Sequence, residues 1–146
     1  MYGGSGSWYY STLAGLKRAP GSRSWSDLII APPAPGSLSN LTWANASTAT
    51  PMGLVSSAWS VAAEEVGATY HLHADVPSNS RCQIIVPVSP TSTVKESGIV
   101  VWTGGSLVAS GAAEVGGIVA AAVGNDGRSV VFEVGGGAYT FIADCE

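Results

Sequence analysis

Glycine and proline divide this chain into short segments. Its 146 residues include 19 Gly and 8 Pro, and both residue types supply the backbone geometry of tight turns. Serine and threonine are also abundant, whereas lysine and glutamate are few. Because this usage is typical of short strands joined by many turns, the sequence favours an all-β fold before any motif is considered.

Apolar and polar residues alternate in the segments between the turns. From Val66 to Val76, Tyr70 and Leu72 fall on one face and the two histidines on the other, which is the pattern of a strand with one buried face. A hairpin is predicted where residues 50–53 (TPMG) interrupt the run 41–60. Further strands are predicted at residues 27–31, 82–88, 98–102, 118–123, 128–134 and 138–143. Short strands at this spacing predict an antiparallel two-sheet β-sandwich of jelly-roll type.

One segment near the N-terminus has helical spacing. Over Ser5–Lys17, the residues Trp8, Leu13 and Leu16 fall on one helical face, and Pro20-Gly21 ends the pattern. We therefore expect one N-terminal α-helix before the sandwich. The predicted division is a helical arm at residues 1–20 and a β-sandwich domain at residues 21–146.

Composition narrows the functional classes. The chain is 46% apolar and 11% charged with a net charge of −4, and its length suits one domain around one core. The six Lys and Arg residues are scattered, so no basic surface is expected to neutralise phosphates, and nucleic acid is excluded as a partner. No run reaches the roughly 18 apolar residues of a membrane span, and the first residues lack the regions of a secretory signal.

The two cysteines are Cys82, in a predicted strand, and Cys145, beside the C-terminus. A disulfide between them would close a loop of roughly 60 residues and stabilise the fold by about 4 kcal/mol; the alternative is two independent buried thiols. We predict the disulfide, because a thiol beside a chain end is poorly protected and disulfides are typical of proteins outside the cytosol.

Two N-glycosylation sequons occur, at Asn40 and at Asn45. On a regular strand the two side chains have opposite parity, so we expect one of them to be modified if the source has a eukaryotic secretory pathway. With the low charge and the predicted disulfide, the sequons indicate a secreted glycoprotein.

No arrangement typical of catalysis is found in the sequence. Glycoside hydrolysis needs two carboxylates across a cleft, whereas Glu64 and Glu65 are adjacent and point to opposite faces of a strand or into solvent. His71, His73 and Asp75 share one strand face and are weak candidates for a metal site, although such residues more often form a solvated face. We predict no catalytic residue, metal or cofactor.

Tryptophan side chains are the candidates for carbohydrate contact. Trp43 has the parity of Asn45, opposite to the small Ala44, and is therefore expected on an outer face. Trp102 ends a strand next to a glycine-rich turn that would expose it. Core packing is the alternative for both. The other three tryptophans, Trp8, Trp25 and Trp59, are interpreted as structural.

Six segments follow one another along the chain: SWYYSTLAGLKR, DLIIAPP, LTWANASTATPMGLVSSAW, YHLHADVPSNSRCQIIVPV, VKESG and GRSVVFEVGGGAYTF. Their order and spacing resemble the C-terminal end of bacterial-type α-L-rhamnosidases over most of the chain. The matching residues are Gly6, Trp8, Tyr9, Ile30-Ala31-Pro32, Pro51, Gly53, Ser56, Trp59, Val76-Pro77, Asn79, Glu96-Ser97-Gly98, Gly137 and Tyr139-Thr140-Phe141.

This resemblance implies a fold and a separation between a catalytic region and an accessory region. It equates the N-terminal arm with the last helix of an (α/α)₆ catalytic barrel and the remainder with a small C-terminal β-sandwich. It also implies that the family's general acid and base are carboxylates of the barrel, N-terminal to every residue of this chain.

Three functional hypotheses result. The leading one is a non-catalytic, extracellular accessory or self-assembling structural subunit, whose arm (Trp8, Tyr9, Leu13 and Leu16) packs on a catalytic barrel or on another subunit. The second is a carbohydrate-binding module that uses Trp43 or Trp102. The third is a fragment of an α-L-rhamnosidase that hydrolyses terminal α-L-rhamnosides.

Overall fold

Most of the described part of the chain is in β-strands. The structure, a computed structural model, describes residues 16–18, 27–32, 42–50, 53–63, 68–78, 80–108, 110, 117–124 and 127–145. The strands are β1 (Leu16–Arg18), β2 (Asp27–Ile30), β3 (Trp43–Thr50), β4 (Gly53–Ala63), β5 (Ala68–Val76), β6 (Arg81–Val86), β7 (Val94–Glu96), β8 (Ile99–Thr103), β9 (Ser106–Leu107), β10 (Ile118–Val123), β11 (Val130–Val134) and β12 (Gly137–Cys145). Within these residues, no helix has the length and apolar character of a membrane span.

The strands form two sheets, as the sequence predicts. One sheet has five strands in the order β1-β2-β6-β11-β10, and the other has seven in the order β3-β4-β5-β12-β7-β8-β9. The expectation of purely antiparallel pairing is wrong at one place, because β2 pairs with β6 in parallel. Between β2 and β6 the chain forms the β3-β4-β5 meander of the other sheet. It then returns to the first sheet, where β6 runs in the same direction as β2.

Strand β1 corrects the end of the predicted helix. Leu16 and Lys17, the last turn of that helix, pair with Ile30 and Ile29 of β2 at the edge of the five-stranded sheet. Backbone pairing with β2 there outweighs the weak local preference for helix. The rest of the predicted helix, including Trp8, Tyr9 and Leu13, lies outside the described residues, and the division at residue 20 stays a prediction.

The core lies between the inner faces of the two sheets. On β5 the predicted alternation is confirmed, since Tyr70, Leu72, Ala74 and Val76 are buried. Phe132 of the five-stranded sheet stacks on Phe141 of the seven-stranded sheet, with ring centroids 4.9 Å apart. Trp59 is buried and stacks on Tyr70 with centroids 6.2 Å apart, which confirms its structural role. Trp25 lies outside the described residues.

The predicted Cys82–Cys145 disulfide is wrong, because Cys82 is a free, buried thiol. Cys82 pairs with Val134 at the end of β11, close to where β12 begins at Gly137. Cys145 is eight positions further along β12, about 26 Å away at the usual rise of a strand. A disulfide needs Cα atoms within about 7 Å, so the two cysteines belong to opposite ends of the sandwich.

Candidate functional site

The outer face of the seven-stranded sheet carries the residues that the sequence singled out for binding. Strand register aligns them in rows, because cross-strand partners share a face. One row runs from Asn45 through Ala58 and His73 to Thr140. The neighbouring row contains Trp43, Ser60 and His71. Four strands therefore contribute to one surface.

An open depression of about 300 Å³ lies on this surface. Trp43, Asn45, Ala58, His71, His73 and Thr140 are among its lining residues. Its depth follows from residue size, since Ala58 and Ser60 of β4 lie between longer side chains of β3 and β5. Trp43 borders it with 61% of its surface exposed. The expectation that Trp43 lies on an outer face is confirmed.

Contacts with Thr140 and Asp75 hold His73 at one side of the depression. Its Nδ1 lies 3.0 Å from Thr140 Oγ1, where the tautomer decides which group donates. Its Nε2 lies 3.4 Å from Asp75 Oδ2. The Ser56 hydroxyl donates to the same Asp75 oxygen at 2.6 Å. Both ring nitrogens therefore have protein partners, and the oriented imidazole lines the depression.

The metal site considered for His71, His73 and Asp75 does not form. Their side chains share one strand face, as predicted, but across the described residues no group of three His, Cys, Asp or Glu is placed to hold a metal ion. Residues two apart on a strand are separated by about 6.6 Å, so His71 and Asp75 are about 13 Å apart at the backbone.

Trp102 is not a carbohydrate contact. Its side chain is 2% exposed, its indole N–H donates to the carbonyl oxygen of Pro90 at 2.8 Å, and its ring packs edge-on against Phe132. The glycine-rich turn after β8 lies beyond the ring and leaves it inside the core. The indole therefore serves packing, and the expectation of an exposed Trp102 is wrong.

The two sequons differ in what the structure describes. Asn45 is exposed on β3 and lines the depression together with Trp43. Asn40 lies outside the described residues. A glycan on Asn45 would therefore project over the same surface as the exposed indole.

The described carboxylates are spread over both sheets. Asp75 and Asp144 share the outer face of β5 and β12 but are six positions apart in register, which is about 20 Å at the backbone. The carboxyl groups of a glycosidase pair are about 5–9.5 Å apart, so this pair is too widely spaced. Asp27 and Glu133 lie on the other sheet, two strands apart, at roughly 12 Å between backbones. Glu96 is buried, and its Oε1 accepts hydrogen bonds from neighbouring protein groups.

Sequence reasoning missed two features of this region. Thr140 and Ala58 complete the depression, but their positions next to His73 depend on register between distant strands. The burial of Glu96 was also missed, although strand parity places its side chain on the same face as that of the apolar Val94.

Three solved structures are similar to this chain. The α-L-rhamnosidase of Dictyoglumus thermophilum matches with a TM-score of 0.71 and 22% identity, over 98% of this chain and 14% of that one. The α-L-rhamnosidase of Streptomyces avermitilis, solved with L-rhamnose, matches with a TM-score of 0.64 and 25% identity, over 97% and 11%. That of Aspergillus terreus matches with a TM-score of 0.50 and 30% identity, over 59% and 9%.

These proteins are much longer than the chain, which spans 14% or less of each. No curated protein matches the sequence closely. The family described as the bacterial alpha-L-rhamnosidase C-terminal domain matches residues 15–100, which is more than half of the chain. The resemblance seen in the sequence is thereby confirmed, and the chain belongs to the bacterial α-L-rhamnosidase C-terminal domain family.

Proposed function

We propose that this chain acts as a non-catalytic accessory β-sandwich of an α-L-rhamnosidase-type hydrolase. The observation that carries the proposal is the match of the bacterial alpha-L-rhamnosidase C-terminal domain family to residues 15–100. Among the described residues, the two carboxylates on the outer face of the seven-stranded sheet are about 20 Å apart by register, which is wider than the separation of a glycosidase pair. The buried Glu96 is engaged in hydrogen bonds within the fold.

The family match also supports a separation between this accessory sandwich and a catalytic region. The similar structures are α-L-rhamnosidases in which the matched region is a small part of the chain. Hydrolysis of terminal α-L-rhamnosides would then belong to a catalytic barrel, and the sandwich would be one of its neighbours.

We also propose an extracellular location, supported by the low charge of the chain and by the exposed sequon at Asn45. Self-association through the N-terminal arm stays a prediction, because Trp8, Tyr9 and Leu13 lie outside the described residues and Leu16 is described as part of β1. The native mass of the purified chain measures it directly.

Turnover by the purified chain tests the accessory role. With 4-nitrophenyl α-L-rhamnoside as substrate, we expect release of nitrophenol at the rate seen in buffer. The Streptomyces avermitilis α-L-rhamnosidase, assayed in parallel, shows that the substrate and conditions are competent. Hydrolysis that co-purifies with the chain and exceeds the buffer rate would contradict the proposal.

A further inference from the structure

We propose that the depression beside Trp43 binds a neutral sugar ring, with the indole as the stacking platform. This activity goes beyond the accessory role and does not depend on it. Three features support it: the exposure of one tryptophan, the polar groups that surround it, and the charge and size of the depression.

The exposed indole is exceptional among the described tryptophans. Trp43 is 61% exposed, whereas Trp59 and Trp102 are 3% and 2% exposed. Its strand, β3, ends the order of the seven-stranded sheet, and its outward parity directs the ring away from the core. A flat apolar surface of this kind gains free energy when a ligand with an apolar face covers it.

Polar groups lie next to that apolar surface. Asn45, His71, His73 and Thr140 line the same depression, and they supply both hydrogen-bond donors and acceptors. The contact between His73 Nδ1 and Thr140 Oγ1 (3.0 Å) keeps two of these groups in place. Small-ligand sites typically combine an apolar wall with a few such oriented polar groups.

The charge of the depression favours an uncharged ligand. Its lining residues include no Lys, Arg, Asp or Glu. The nearest carboxylate by register, Asp75, accepts the Ser56 hydroxyl at 2.6 Å and lies 3.4 Å from His73 Nε2. A ligand with one apolar face and a rim of hydroxyl groups matches both the indole and the polar side chains, and a pyranose ring has that form.

The volume indicates a short ligand segment. About 300 Å³ is at the low end of the range of small-molecule sites, so one ring is accommodated at a time. The depression is open toward solvent, which allows that ring to be a residue of a longer polysaccharide.

Affinity electrophoresis of the full chain tests the site. The protein is produced in a bacterial host, which leaves Asn45 unmodified, and run in native gels that contain either a neutral rhamnose-containing polysaccharide or a glucose-only polysaccharide. We expect at least one of the two to retard the wild-type chain. Trp43→Ala should weaken that retardation about tenfold or more, because it removes the platform. Trp43→Phe should retain most of it.

Leu54→Ala is the matched control. Leu54 is 56% exposed on the outer face of β4, and it lies about 20 Å along that strand from the row of Trp43. Its removal deletes exposed apolar surface outside the depression and should leave the retardation unchanged.

Three results would overturn the proposal. The first is a wild-type chain that neither polysaccharide retards. The second is a Trp43→Ala variant retarded as strongly as the wild type. The third is a wild-type dimer, seen by light scattering, that Trp43→Ala converts to a monomer without any effect of sugar, since the indole would then be part of a protein interface.

Discussion

Burial determines the chemistry of the side chain of Cys82. Loss of solvation raises the pKa of its thiol to about 12, and this effect outweighs the hydrogen bond with the backbone of Ile30, which lowers it. The reactive form of cysteine is the thiolate. In the folded protein at neutral pH this thiol is therefore protonated, inaccessible and unreactive.

This leads to a prediction about thiol labelling. In a Cys145→Ser variant, Cys82 is the only thiol, and we expect an aromatic disulfide reagent at pH 8 to label it only after denaturation. The wild-type chain, denatured without reductant and alkylated, should gain two alkyl groups by mass. Immediate labelling of the native variant would show that Cys82 is not buried. A wild-type mass without added alkyl groups would show that its thiol is not free.

Glu96 and Tyr139 illustrate how a polar residue is held inside the sandwich. Glu96 Oε1 accepts the backbone N–H of Thr140 at 3.1 Å and the hydroxyl of Ser97 at 2.7 Å. Burial first, and then the negative charge of Glu96, raise the pKa of Tyr139. Its hydroxyl donates to the carbonyl of Gly135 at 2.8 Å. These contacts join the start of β12 to the turn that follows β7.

At the scale of secondary-structure elements, the connection from β11 to β12 carries the chain from one sheet to the other. A Cβ atom on Gly136 would lie 2.6 Å from the carbonyl oxygen of Pro77 and 2.8 Å from the Cα of Ser78. At Gly135 nothing lies within 4 Å of the same atom. Only one of these two neighbouring glycines is required by close packing.

The two glycines give a matched prediction. Gly136→Ala should lower the free energy of unfolding by about 1–3 kcal/mol, since the backbone around Pro77 has to shift. Gly135→Ala should change it by less than about 0.5 kcal/mol. Urea unfolding of both variants measures the difference, and equal stabilities would argue against this packing of the crossover.

The positions of the strands were easier to predict than the pairing between them. The alternation on β5 and the β3-β4 hairpin were predicted from local signals, and both are confirmed by burial on β5 and by the pairing of Thr50 with Gly53. The parallel pairing of β2 with β6 depends on the intervening meander, and the strand at Leu16–Arg18 depends on pairing with β2. Such long-range pairing overrides local preference, so the sequence pattern alone could not show either one.

At the scale of the whole molecule, the candidate site also combines a feature predicted from local sequence with neighbours that depend on long-range strand pairing. Parity along β3 was enough to predict that Trp43 lies on an outer face. Its neighbours come from β4, β5 and β12, and residues as distant as Asn45 and Thr140 share one row through the register of four strands. Trp102 has a similar local context to an exposed residue, but the packing of the two sheets covers it.

On the proposal made above, this sandwich binds its ligand on the outer face of the seven-stranded sheet, at the exposed Trp43, and not through its buried residues. Two-dimensional NMR of the indole N–H groups during titration with L-rhamnose, and with a glucose-only oligosaccharide in parallel, tests it most directly, with Trp43→Phe to assign the signal. We predict that the Trp43 signal shifts progressively with one of these sugars while the signal of Trp102, which is buried away from the depression, stays in place. A titration in which the Trp102 signal shifts and the Trp43 signal does not, or in which the Trp43 signal responds to neither sugar, would contradict the account.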